Sequence, residues 1–174
     1  RIKNQLISNH EKIKNAIKET GFNFADRIYH NNPPYIGLKE VGVHNMDWIT
    51  EGAINFIDEN KSTPFFLYFA TTIPHGPTEA KRAWNANPSI SAVGYLDNIP
   101  DVLPPRKTIP ERLIKEGFST DFSRCNLLWL DDTLGALIKK LEDEKILDNT
   151  IIFFFSDHGP VSYTHLTLPT NDLV

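Results

Sequence analysis

Two stretches of continuous apolar sequence constrain this chain most: Phe65-Phe66-Leu67-Tyr68-Phe69-Ala70 and Ile151-Ile152-Phe153-Phe154-Phe155. Successive residues of a strand point to opposite faces, so a strand with one wet face alternates apolar and polar side chains. Neither run alternates. Both predict strands buried on two faces, as in a mostly parallel sheet flanked by helices. Helical periodicity precedes each run. Asn45 is a good N-cap for a helix to Asn60, with Ile49, Ala53, Phe56 and Ile57 as its buried stripe, ended by Lys61-Ser62-Thr63-Pro64. A longer helix is predicted over Phe122–Lys145, with Leu127, Leu130, Leu134, Leu137, Ile138 and Leu141 inward. Lys139, Lys140, Glu142 and Asp143 cover its other face, and Asp148-Asn149 turns the chain into the second run. Helix, short turn, buried strand, given twice, is the grammar of an α/β fold.

The remaining segments are less regular. Ile2–Thr20 carries Leu6, Ile7, Ile13, Ala16 and Ile17 at helical spacing, and Gly21 is a plausible stop. Pro77, Pro88, Pro100, Pro104, Pro105 and Pro110 predict an irregular loop over residues 76–110. Thr108-Ile109-Pro110-Glu111 fits a capping box that opens a short helix through Ile114. Lys+Arg number 18 against 22 Asp+Glu, a net charge of −4, and no basic block offers a footprint for nucleic acid. No run approaches the roughly 20 apolar residues of a membrane helix. The single cysteine, Cys125, excludes a disulfide framework and a zinc site of several thiolates; beside a leucine-rich face it reads as a buried, inert thiol. The chain begins at Arg1 and its one methionine is Met46, which predicts a processed chain or a fragment.

Ligands of open α/β sheets bind beyond the carboxyl ends of the strands, and both apolar runs end in polar clusters there. Pro74-His75-Gly76-Pro77 follows the first run. A histidine held between prolines can donate to an anion or protonate a leaving oxygen; it can equally fill a loop hydrogen bond. Asp157-His158-Gly159 ends the second run and sets a hard oxygen ligand beside an imidazole, suited to a divalent cation. An Asp-Gly turn with a surface histidine is the plainer alternative. Lys81, Arg82 and Trp84 stand in the proline-rich segment, where they can meet an anionic sugar or simply face solvent. His10 and His44 are assigned to helix surface or a helix start, and His30 to a loop. Asp131 and Asp132 diverge on a helix and are assigned solvated or capping roles.

Taken together, ITEGAINFIDENKSTPFFLYFATTIPHGP and LLWLDDTLGALIKKLEDEKILDNTIIFFFSDHG resemble the arylsulfatase-like sulfatases of the alkaline-phosphatase superfamily, over residues 40–160. The resemblance implies an α/β sandwich and hydrolysis of sulfate esters on a sulfated small molecule or glycan. It implies a formylglycine nucleophile made within a C/S-x-P-x-R motif, and one divalent metal, usually calcium. His75 matches the histidine that binds the sulfate and assists the leaving oxygen. Asp157 and His158 match the late metal pair, and Lys81 is assigned to substrate binding. A periplasmic or secreted parent is implied. The C/S-x-P-x-R motif, the early Asp-Asp pair, the Lys…His pair that follows the nucleophile and the later lysine that contacts the sulfate are missing from this sequence, so residues 1–160 read as a central piece of the catalytic domain, inactive alone. Residues 161–174, VSYTHLTLPTNDLV, resemble a translated transposase adaptor and are set aside as non-native, His165 and Pro169 with them. A phosphodiesterase or phosphonate hydrolase of the same superfamily, or a non-catalytic module that kept the fold, are the alternative readings.

Overall fold

The computed structural model describes residues 2–29, 43–74 and 77–156, with the side chains of 77–80 left out. Five helices dominate: α1 (Ile2–Glu19), α2 (Met46–Asn60), α3 (Pro77–Asn85), α4 (Ile109–Lys115) and α5 (Phe122–Asp143). Short 3-10 turns cover Arg106–Thr108 and Leu147–Asn149. The only sheet among the described residues is a small antiparallel hairpin of β1 (Ile90–Ser91) and β2 (Gly94–Tyr95). Ile90 lies opposite Tyr95 and Ser91 opposite Gly94, whose φ of +97° suits glycine in this tight reversal.

The helices predicted from periodicity form, with ends within two residues of expectation. Asn45 caps α2, its side chain accepting from Trp48 N at 3.1 Å. The same amide, 2% exposed, donates to the carbonyls of Pro88 and Ile90 at 2.8 Å each. It thereby fastens the start of α2 to the hairpin. Asn45→Ala loses the cap and leaves two buried carbonyls without a donor, so a loss of at least about 2 kcal/mol is expected. Urea unfolding of the full-length protein checks this, and an unchanged midpoint would contradict it.

α5 packs on α2 through a strict i, i+4 row: Cys125, Trp129, Thr133, Leu137 and Leu141 are all buried. The predicted leucine stripe is therefore rotated. Leu130 and Leu134 sit on its flank, and Leu127 is 51% exposed. Counting only leucines hid the row, because a tryptophan, a threonine and a cysteine supply its upper half. Thr133 is accommodated by donating to Trp129 O at 3.1 Å, and Thr50 of α2 donates to it across the interface at 3.3 Å.

Residues 76–110 are more regular than their prolines suggested. Pro77 opens α3, where a missing N–H costs nothing, and the hairpin follows. The capping box at α4 does not form: Thr108 Oγ1 donates back to Pro105 O at 2.8 Å, and Pro110 occupies the first turn.

The two apolar runs differ from expectation. Neither joins a ladder among the described residues. In the first, Phe65, Leu67 and Phe69 are half-buried against Ala53 and Ile57 of α2 and Leu137 and Leu141 of α5. The alternate residues face away, with Phe66 75% and Tyr68 67% exposed. One face is packed and the other bare. The second run, Ile151–Phe155, is exposed throughout. Burial on both faces and the parallel sheet are thus not seen in this part of the chain, because no described element covers those faces.

Candidate functional site

His75, Asp157 and His158 lie outside the described residues, and so do His30 and residues 161–174. Their immediate flanks are described. On the near side of position 75, Ile73 is 1% exposed and packs in the main core with Ala83, Ile109 and Trp129. On the far side α3 begins at Pro77. Lys81 projects from α3 with its ammonium 5.5 Å from the centre of the Phe122 ring. Asn85 donates from Nδ2 to Lys81 O at 3.0 Å. Lys81, Arg82, Asn85 and Val43 line an open depression of about 360 Å³. The second run, exposed along its length, leads to Ser156, one residue before the Asp157-His158 pair. Among the described residues no group of three or more His, Cys, Asp or Glu side chains is arranged to hold a metal, and no helix is long and apolar enough to cross a membrane.

Beneath α3 lies a charged cluster that sequence reasoning missed. Asp47, in the first turn of α2, accepts from Trp129 Nε1 at 3.1 Å and stands 3.9 Å from Arg106 Nη2. The Arg106 guanidinium covers the Trp129 ring at 4.1 Å, and its Nη1 donates to the carbonyls of Ala83, Trp84 and Ala86 at 3.1, 3.0 and 3.2 Å. Burial pushes the Asp47 carboxyl above its ordinary range, an effect the Arg106 charge opposes. Burial also lowers Arg106 from its ordinary value, opposed in turn by Asp47. The one signal in the sequence was an acid at the start of a helix; the arginine sits after two prolines in what reads as loop.

Other expectations are corrected or refined. His10 and His44 are not at the surface: they are 6% and 5% exposed. Nε2 of His10 accepts from Ile28 N at 3.1 Å, and its ring leans on Trp48 at 5.7 Å. His44 meets the edge of Tyr29 at 5.3 Å. Asp131 is exposed as expected, but Asp132 forms a two-bond pair with Arg112 at 2.7 and 2.5 Å, its side chain only 7% exposed. Cys125 is buried in α5, with Sγ donating to Thr120 O at 3.7 Å, and burial raises its thiol above the ordinary range.

His10 makes stability depend on pH. Burial lowers its pKa from the ordinary 6.5, with Asp26 opposing. Below 6.5 the unfolded chain takes up a proton that the folded ring refuses, so stability falls as pH drops toward the lowered folded value. Above that window the group contributes no slope. Unfolding midpoints are expected to decline between about pH 7.5 and about pH 5.5, and His10→Gln to flatten part of the decline. An identical slope in the variant would contradict the assignment.

A family model described as Sulfatase matches residues 6–172. The chain is similar to an arylsulfatase of Hemicentrotus pulcherrimus, 29% identical over 111 residues covering 64% of this chain and 15% of that protein. It is 32% identical over 115 residues to an N-acetylgalactosamine-6-O-sulfatase of Bacteroides thetaiotaomicron, covering 66% of this chain and 17% of the relative. An N-acetylgalactosamine-6-sulfatase of Sus scrofa is 29% identical over 136 residues, 76% of this chain and 20% of the relative. The chain spans a fifth or less of the length of each of these proteins.

Proposed function

We propose, for a chain that belongs to the sulfatase family, that the full-length protein hydrolyses sulfate esters. The observation that carries this reading is the family match across a chain whose two apolar runs end in Pro74-His75-Gly76-Pro77 and Asp157-His158-Gly159. The names of the similar proteins favour sulfate over phosphate or phosphonate esters.

His75 is assigned the sulfate group and the leaving oxygen. As an imidazolium it would donate to the sulfate ester; as a nucleophile from elsewhere in the full-length protein bonds to sulfur and the ester S–O bond breaks, its proton would pass to the departing alkoxide, which a sugar alcohol needs to leave near neutral pH. Asp157 and His158 would supply two ligands to a divalent cation, calcium in the usual case. The Asp157 carboxylate suits a hard ion and the His158 imidazole is a softer donor; calcium takes about 6–8 oxygen ligands, so other donors must lie beyond these residues. Held there, a divalent cation would supply Lewis-acid stabilisation of the charge on the sulfuryl group. Cys125 does not supply the formylglycine nucleophile: it stands in Arg124-Cys125-Asn126-Leu127-Leu128, is buried, and has a raised thiol pKa. Lys81, on the exposed side of α3, meets a sulfated small molecule or glycan beside the reacting group. In this reading residues 1–160 belong to an α/β sandwich of an exported enzyme, and 161–174 are foreign to it.

The test is release of inorganic sulfate by the full-length protein from an aryl sulfate and from 6-sulfated hexosamines. Turnover of sulfate esters well above matched phosphate and phosphonate esters is expected. Phosphate release without sulfate release would overturn the proposal.

A further inference from the structure

We infer that Arg106 is a positioning residue for α3, the helix that leads away from His75 and carries Lys81; the inference rests on the role proposed for His75. α3 has nine residues and so is about 13 Å long, too short to hold its shape in water unaided. Its last carbonyls have no partners within the helix. Arg106 supplies one, giving Nη1 to Ala83, Trp84 and Ala86 at once. A cation at this end also complements the helix dipole.

The guanidinium is itself fixed from two further directions. Its face rests on Trp129 of α5, and its other amine points at Asp47 of α2, which Trp129 Nε1 holds in place. Arg106 therefore ties the far end of α3 to both helices that build the core. The near side is tied as well, because Ile73 packs in the same cluster as Ala83 and Trp129. With Ile73 and α3 referred to one core, a shift of α3 moves one flank of the segment that carries His75, to which the sulfate is assigned. Displacements of about 1 Å at a reacting group cost up to about a hundredfold in rate.

Lysine keeps the charge at the helix end but lacks the planar fork and the flat face that stacks on an indole. In the full-length protein, Arg106→Lys is expected to lower kcat for an aryl sulfate by about tenfold or more, with a smaller change in KM. Asp47→Asn keeps an oxygen for Trp129 Nε1, removes the charge that orients Arg106, and is expected to give a smaller loss in the same direction. It serves as the readout if Arg106→Lys does not fold. Activities are referred to folded protein, measured by near-ultraviolet circular dichroism. A residue that only stabilised the fold would lower the melting temperature and leave kcat per folded molecule unchanged; kcat within twofold of wild type in the folded variants overturns the inference. His75→Gln separates the two layers. If it is inactive while the Arg106 and Asp47 variants are normal, the inference alone fails. If His75→Gln retains wild-type kcat, the reading beneath it fails too.

Discussion

Replacing Trp129 with alanine is expected to cost the fold about 3–5 kcal/mol. Trp129 is 0% exposed. Its indole carries the middle of the i, i+4 row of α5 and meets Trp84 edge-on at 6.3 Å. Truncation opens a cavity there. It also removes the N–H donor to Asp47 and the ring under Arg106, leaving a buried ion pair with two fewer supports. The consequences compound, since the Arg106 side chain also terminates α3. Trp129→Phe keeps much of the volume and the stacking face but not the N–H, and should lose distinctly less. Urea unfolding of the full-length protein measures both. A loss below about 1 kcal/mol for the alanine variant would contradict the packing described.

The second large effect concerns solution behaviour. Phe66, Tyr68, Phe153 and Phe155 are 75%, 67%, 82% and 74% exposed, in segments that carry no ladder partners among the described residues. Exposed apolar side chains on strand-like backbone that joins no ladder among the described residues drive association between chains. The isolated chain of 174 residues is therefore expected to self-associate. Serine at all four positions should bring most of it into a monomeric state, because those side chains support little of the core. Sedimentation velocity reads the outcome. A monodisperse, cooperatively melting wild-type chain, or a quadruple variant as aggregated as wild type, would contradict this expectation.

Both effects bear on what is legible in the sequence alone. Periodicity located α1, α2 and α5 because their apolar spacing and end signals, such as Asn45 and Gly21, are local properties of the chain, whereas α4 was placed by a capping box that does not form. The exact buried row of α5 was not local. Cys125, Trp129 and Thr133 became inward-facing because α2 and α4 press on that side, and only tertiary packing says so. The same holds for His10 and His44, polar residues drawn into the interior by Ile28 N and by Tyr29. Proline counting misjudged residues 76–110, since proline at the first position of a helix is favourable. The continuous apolar runs misled on layers: Phe65, Leu67 and Phe69 turn inward but Phe66 and Tyr68 face away, so the first run alternates in burial where its composition does not, and no described element covers its outer face. The Arg106–Asp47–Trp129 cluster was invisible because its members are distant in sequence and belong to no spacing pattern.

The central claim, that His75 serves sulfate ester cleavage, is tested most directly by single-turnover sulfate release from the full-length protein and its His75→Gln variant. Sulfate release by the wild type is expected, with a drop of about 10²–10⁴ in rate for the variant, largest for alkyl sulfates, whose leaving oxygen needs the proton most. Equal rates for the two proteins would contradict it.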